Sequence, residues 1–280
     1  MHHASCNRHP VSPAKPATLI TGASQGLGRE IAIECARRGQ DLVLVALPGR
    51  DLGEFCRNLA GEFGVSAACY ETDLTDKDAI VALAEDVLSK HRINFLVNNA
   101  GTGGTIQFDT TSLDYLDNII QLNIRALSML TRLMIPELKS HPESFILNVS
   151  SMAAFSPIPF KTVYPASKAF VYNFSRSLSR ELRGTSVKVA VVHPGPILTN
   201  PDVILRIIRQ GAAGKVGLLL AREIACIAID GARKGREVII PGLMNKINLF
   251  LMRVVPEEIR LSMLSRVIRR EISTGSLKAA

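Results

Sequence analysis

Tyr164 and Lys168 stand four residues apart in the run Tyr164-Pro165-Ala166-Ser167-Lys168. On a helix that spacing puts both side chains on one face, so an ammonium can lie beside a phenol. A free tyrosine titrates near ~10 and is a poor base at neutral pH, but a close cation stabilises the phenolate and lowers that value. Proton transfer is most effective when the group's pKa approaches the working pH. The pair can therefore give a proton to a carbonyl oxygen or take one from an alcohol. Pro165 suits the first turn of a helix, where no amide donor is lost. A lone tyrosine at a helix start reads as packing; Lys168 and the upstream pair Ser150-Ser151 turn the balance towards chemistry.

A second group of residues can hold a phosphate. Thr21-Gly22-Ala23-Ser24-Gln25-Gly26-Leu27-Gly28 follows an apolar run and opens a helical one, Arg29-Glu30-Ile31-Ala32-Ile33. Glycines let the backbone turn sharply and approach a pyrophosphate, whose charge then rests at the amino end of the next helix. The bland alternative, a plain strand-to-helix turn, is weakened by the strand before and the helix after.

These residues need a scaffold. Short β-branched or Leu-rich runs at 18–21, 42–47, 66–71, 95–98, 144–149, 187–193 and 237–240 alternate with helical spacing near 27–38, 51–63, 76–90, 112–139, 164–182 and 221–233. Such alternation predicts an α/β fold, a doubly wound seven-stranded parallel sheet with helices on both faces. Ligands of open sheets bind beyond the carboxyl ends of the strands, where both motifs fall. No repeat or linker divides the chain, so the expected organisation is an N-terminal tail over 1–16, one domain over 17–242 and a C-terminal helical extension over 243–280.

Composition narrows the class. A chain of 280 residues that is 47% hydrophobic and 21% charged is globular rather than disordered or fibrous. Its net charge of +8 sits mostly at the ends: residues 1–16 carry +2 and residues 241–280 carry +4, leaving +2 for the 224 between. That distribution argues against a nucleic-acid platform. Cys6, Cys35, Cys56, Cys69 and Cys226 are odd in number and form no Cys-x-x-Cys pair, so neither a disulfide framework nor a metal site is indicated. His91 and His141 read as surface loop residues and His193 as a strand-end packing residue. The N-terminus carries no secretion signal, and the apolar runs fall short of the ~20 residues of a spanning helix. A cytoplasmic protein is expected, with peripheral membrane contact through the C-terminal segment as a further option.

Three residues separate the first two glycines of the turn. Asn98-Asn99-Ala100-Gly101, Asn123, Ser150-Ser151, Tyr164 to Lys168 and Pro194-Gly195-Pro196-Ile197-Leu198-Thr199 then follow in that order. Over roughly 17–242 the chain thus resembles the short-chain dehydrogenase/reductase (SDR) family, nearest its ketoacyl reductase and hydroxysteroid dehydrogenase branch. The resemblance implies a Rossmann-type fold and an NAD(P)(H)-dependent oxidoreductase. Such an enzyme moves hydride between nicotinamide C4 and a carbonyl or secondary alcohol carbon. Family spacing puts the catalytic serine thirteen residues before the tyrosine, at Ser151. Ser151 would hold the substrate oxygen with Tyr164, Lys168 would tune the phenol and orient ribose, and Asn123 would kink the fourth helix and anchor a proton-relay water. A mid-helix asparagine is otherwise a poor choice on propensity.

The resemblance assigns cofactor contacts to Gly22, Ser24, Gln25, Gly26, Leu27 and Gly28 in the turn. Asn99, Ala100 and Gly101 would lie on the adenosine ribose side, and Asp73 and Leu74 near adenine. Pro194, Gly195, Ile197 and Thr199 would line the nicotinamide end. An acid at the end of the second strand would bond the ribose 2′-hydroxyl and repel a 2′-phosphate. Ala46 and Leu47 stand there instead, with Arg50 close by and Arg29 as a second cation. The balance favours NADP(H), with NAD(H) as the other option.

A mobile lid is expected over 199–217. Beyond it, 245–255 is apolar, Pro256 breaks the run, and 257–270 places acids first and bases last, as a helix dipole prefers. Leu261, Leu264 and Ile268 recur at helical spacing, beside Met263 and Val267. This tail suits an apolar flap over a substrate mouth, a basic amphipathic segment on an anionic membrane, or helices packed on their own domain or a partner subunit. A lipophilic substrate of 3-oxoacyl or steroid type fits such a tail. The family also pairs its fourth and fifth helices across two-fold axes, implying a homodimer or homotetramer, and Tyr172, Phe174 and Leu178 suit that face. The contrasting reading is a catalytically silent scaffold that binds a cofactor or a membrane; the intact set Asn123, Ser151, Tyr164 and Lys168 argues against it.

Overall fold

Leu42-Val43-Leu44-Val45 is apolar without interruption, and successive side chains on a strand point to opposite faces. Such a strand is stable only where both faces are covered. In the computed structural model, residues 15–197 and 217–276 are described, and from 267 onward, Ile268 excepted, only as backbone. Seven strands among them, β1 (Ala17–Thr21), β2 (Asp41–Ala46), β3 (Ala67–Glu71), β4 (Ile93–Asn98), β5 (Ser144–Val149), β6 (Val187–Val192) and β7 (Val238–Ile239), form one sheet in the order β3-β2-β1-β4-β5-β6-β7. Every neighbouring pair is parallel.

Leu42, Leu44, Leu147 and Val149 pack under α1 (Gly26–Arg37), α2 (Leu52–Phe63) and α7 (Ala221–Arg233). Val43, Val45 and Ile146 pack on the other face, under α3 (Lys77–Lys90), α5 (Leu127–Lys139) and α6 (Val163–Glu181). Each fully buried aliphatic side chain of this kind stabilises by about 1.5–3 kcal/mol. The strand order turns at β1, between β2 and β4, which opens a crevice at the carboxyl ends.

The helix expected over 112–139 is two helices, α4 (Leu113–Ile120) and α5, joined by a π-helical turn Gln121–Ala126. Asn123 lies in that turn, so the local weakness of asparagine in a helix marks a real widening. The last two helices are α8 (Leu243–Val254) and α9 (Glu257–Ser276), separated at Pro256, which cannot continue a helix. The expected lid falls almost wholly outside the described residues, as does most of the N-terminal tail.

Two expectations about exposure fail. His141 is buried, its Nε2 3.0 Å from Glu137 Oε1 one helical turn away. Tyr172, Phe174 and Leu178 do not share one open face, because residues two apart on a helix point to nearly opposite sides. Leu178 is only 8% exposed and belongs to the core, Tyr172 turns edge-on to His193 and Phe155, and Phe174 stacks on Phe170.

Candidate active site

The glycine turn after β1 is held in a shape that side chains would spoil. Gly22 (φ 66°) and Gly26 (φ 57°) adopt left-handed backbone, which glycine enters without steric cost. A Cβ on Gly28 would lie 2.1 Å from the Gly22 carbonyl oxygen and 2.4 Å from Asn99 Nδ2. Asn99 fastens this turn: its Nδ2 donates to Thr21 O (3.0 Å) and Gly22 O (3.1 Å), while Thr21 Oγ1 accepts from the amides of Asn99 and Ala100 (3.0 Å each). The Asn99 amide is therefore spent on the protein, and only its remaining surface faces the crevice. α1 starts at Gly26 with no side-chain cap, leaving its first amides for an anion.

A cleft of about 370 Å³ opens on this turn. Of the residues expected to meet a cofactor, Gly22, Ser24, Gln25, Gly26, Leu27, Arg50, Asp73, Leu74, Asn99, Ala100 and Gly101 form its walls. Asp73 accepts from Thr75 N (2.9 Å) and Thr75 Oγ1 (2.8 Å), a local turn that fixes the rim. Ala46 and Leu47 are also in the wall, at the end of β2 where the sequence has no acid. Arg29 is not: its guanidinium lies 4.0 Å over the Phe55 ring. Asn118 of α4 and Leu122 of the π-helical turn also line the cleft and were not singled out by sequence.

Gly101 joins the cleft to the titratable cluster. A Cβ there would lie 3.0 Å from Asn123 Oδ1 and 3.2 Å from Lys168 Nζ. Lys168 is buried and donates to Val149 O at 3.0 Å. Burial in apolar surroundings pulls its ammonium down to about 8. Its Nζ is 5.8 Å from the centre of the Tyr164 ring, so the two residues share a face as their spacing requires. Asn123 Oδ1 accepts from Thr102 N (2.9 Å), and its Nδ2 donates to Thr102 O (2.9 Å) and Ser167 Oγ (2.9 Å). Its side chain thus ties the loop after β4 to α6. Gly103, in that loop and absent from the sequence reading, touches Tyr164 so closely that a Cβ would sit 2.2 Å from Cδ2.

The two serines make different bonds. Ser150 is buried and donates to Lys168 O at 2.8 Å. Ser151 is half-buried and caps the short 3-10 turn Met152–Phe155, accepting from Ala153 N at 3.1 Å. His193 lies beneath it, fully buried, with Nδ1 3.0 Å from Ser151 O and its ring against Phe155 and Tyr172. Burial depresses the imidazole to about 4, the hydrogen bond from the neutral ring notwithstanding, so His193 supports the serine as an uncharged packing group. Met152 N donates to Pro194 O at 2.9 Å, which brings the Pro194-Gly195 loop beside the serine. Ile197 bridges to Leu219, and Thr199 lies outside the described residues. A largely apolar groove of about 460 Å³ runs from Ala153 and Pro165 between Phe155, Pro157, Ile158, Ala166 and Leu261 of α9; neither Ser151 nor Tyr164 is in its wall.

The family described as short chain dehydrogenase matches residues 16–204. Over 190 residues the chain is 32% identical to the very-long-chain 3-oxoacyl-CoA reductase of Anas platyrhynchos, a match covering 66% of this chain and 61% of that protein. A short-chain dehydrogenase from Sphingobium yanoikuyae in complex with NADPH superposes with TM-score 0.72 at 29% identity, covering 86% of this chain and 97% of the other. The 3-ketoacyl-(acyl-carrier-protein) reductase of Brucella melitensis complexed with NADH gives TM-score 0.67 at 27% identity, with coverages of 80% and 96%.

Proposed function

The chain belongs to the short-chain dehydrogenase family, and on that premise we propose that it is an NAD(P)(H)-dependent oxidoreductase acting on a carbonyl or secondary alcohol carbon of a lipophilic molecule. The observation that carries this reading is the junction at Gly101, where the wall of the cleft on the glycine turn meets Lys168 and Asn123 within about one van der Waals contact. The uncapped start of α1 and the glycine turn fit a pyrophosphate. A bound nicotinamide cofactor supplies or accepts the hydride.

The chain's own residues handle the proton and the oxygen. Tyr164 gives a proton to the carbonyl oxygen during reduction and takes it back during oxidation. Lys168, lowered to about 8 by burial, is drawn to its charged form by anions entering the adjoining cleft, and as a cation it lowers the cost of the phenolate. Ser151 accepts from Ala153 N and keeps its hydroxyl proton for the substrate oxygen, acting with Tyr164 as a small oxyanion site. With the Asn123 side chain occupied, a relay water is left to the backbone carbonyl in the widened turn. Pro194, Gly195, Ile197 and Thr199 serve the nicotinamide end.

Ala46 and Leu47 in place of an acid, with Arg50 on the same wall, support a preference for NADP(H). The apolar groove lined by Ala153 to Pro159 and Pro165, the residue after Tyr164, supports a 3-oxoacyl or steroid-like substrate. Assembly as a homodimer or homotetramer is part of this reading, with the stacked pair Phe170 and Phe174 as the aromatic surface left on α6. Consumption of NADPH and NADH over a panel of ketones and acyl thioesters tests the proposal. Wild type turns over at least one, and Tyr164→Phe loses about 100-fold or more in rate while still binding cofactor. Equal inactivity of both proteins across the panel would instead identify a silent scaffold.

A further inference from the structure

α8 has two unlike sides. Its inner side is held by buried Asn245, whose Nδ2 donates to Gly217 O (2.9 Å) and Pro241 O (2.8 Å), with Leu249 and Met252 half-buried. Its outer side carries Leu243, Met244, Ile247, Phe250, Leu251 and Val254, each between 42% and 72% exposed. At the helical repeat these six fill one arc of about 120°. The only charged residues of α8 are Lys246 and Arg253, both exposed, and the repeat puts both on one rim of that arc. After Pro256, α9 adds Ile259 and Met263, 53% and 61% exposed and one turn apart. A water-facing arc of large apolar side chains marks a contact surface rather than ordinary solvent-exposed helix.

We propose that this face lays α8 on a membrane surface that carries anionic phospholipid. A helix with an apolar arc and a cationic rim lies in the plane of the interface, with its long basic side chains reaching the headgroups. The charge favours lipid over a second copy of the chain. Antiparallel two-fold pairing through the arc would bring Lys246 and Arg253 of both copies to one seam, parallel pairing would leave them on two, and in either case α8 has no acid to meet them. The nearest acids, Glu257 and Glu258, open α9, and Glu257 faces Arg260 at 3.7 Å. Residues 241–280 carry +4 in all, half of the net charge of the chain. No helix among the described residues is long and apolar enough to cross a membrane, so the contact is one of lying on the surface.

The same helix is fixed to the site. Asn245 fills the space beside Gly195, where a Cβ would come within 2.5 Å of its Oδ1, and beside Gly217, where a Cβ would come within 1.9 Å. Docking α8 therefore sets the loop after β6 at a fixed place relative to the lipid, and a lipophilic substrate would arrive from that phase. The surface itself rests on its own geometry and does not depend on the oxidoreductase reading.

Flotation of the full-length protein with vesicles of phosphatidylcholine, with and without phosphatidylglycerol, tests the proposal without turnover. The wild type floats with the anionic vesicles, and raised salt weakens it. Lys246→Gln with Arg253→Gln lowers partitioning about 30-fold, the equivalent of about 1 kcal/mol per basic side chain. Leu243→Ser with Phe250→Ser abolishes it, while cofactor binding and thermal unfolding stay as in wild type; Phe250→Ser alone serves if the pair disturbs folding. Failure of the wild type to float, or flotation unaffected by the apolar substitutions, overturns the proposal. So does an oligomer that those substitutions split while no variant binds vesicles, since the face would then belong to a second copy.

Discussion

Gly28→Ala sets two structural effects against each other. Gly28 sits in the first turn of α1 without a left-handed φ, so alanine would gain about 1 kcal/mol of helix propensity were the space open. It is not open: the new methyl would lie 2.1 Å from the Gly22 carbonyl oxygen, more than about 1 Å inside ordinary contact. The same methyl meets Asn99 Nδ2 at 2.4 Å, and that amide is already committed to Thr21 O and Gly22 O. The first neighbour is backbone and the second is a side-chain end pinned by two hydrogen bonds to that backbone, so the turn itself must open. Overpacking of this kind costs about 1–3 kcal/mol and here reaches the upper end, leaving a net loss of about 2 kcal/mol. For a chain of this size that is roughly 4–8 °C in melting temperature. Because the displaced groups cradle the phosphate site, NADPH affinity falls at least about tenfold as well. Calorimetric melting and fluorescence titration with NADPH read the two effects. A variant that melts higher than wild type and binds NADPH equally well would show that propensity wins and that the close approach of α1 to the turn is not real.

Lys168 has a folded-state pKa near 8 against 10.5 for an exposed lysine, so between those values the unfolded chain holds more protons and stability rises with pH, by on the order of 3 kcal/mol. Lys168→Met removes that rise, as denaturant midpoints of the cofactor-free protein at pH 7.5 and 10 will show. His193, depressed to about 4 from 6.5, costs the folded state stability as pH falls through that window, because only the unfolded chain takes up the proton. His193→Phe keeps the ring contacts with Phe155 and Tyr172 and flattens the acid limb, read by urea unfolding from pH 7 to 4. Arg50→Gln lowers NADPH affinity by about tenfold and leaves NADH affinity nearly unchanged, since one charge-assisted contact to a 2′-phosphate is worth about 1.5–3 kcal/mol; equal effects on both cofactors would contradict the assigned contact.

The fold was legible because parallel strands buried on both faces announce themselves as short unbroken apolar runs, and all seven expected runs became strands within two residues of their expected ends. The pairing of Tyr164 with Lys168 was legible too, since helical spacing alone dictates it. What the sequence hid depends on three-dimensional closeness. Gly103 is unremarkable in Gly101-Thr102-Gly103-Gly104, yet it lies against the Tyr164 ring. Asn245, inside an apolar run, gives no sign that it reaches back to Gly217 and Gly195. His141 is a loop residue as read, but it is buried, bonded to Glu137 four residues earlier, and nothing in the sequence marks that burial. The oligomer face at Tyr172, Phe174 and Leu178 failed because aromatic and aliphatic character does not say which side of α6 faces the sheet.

Transfer of a label tests the central claim most directly. Reduced cofactor carrying deuterium at both hydrogens of nicotinamide C4 is incubated with an accepted ketone, and the alcohol is weighed by mass spectrometry. The site as built predicts one deuterium on the carbinol carbon with wild type, and loss of labelled product with Tyr164→Phe although the cofactor remains bound. Labelled alcohol formed at the same rate by both proteins would contradict the assignment of Tyr164 as the proton donor.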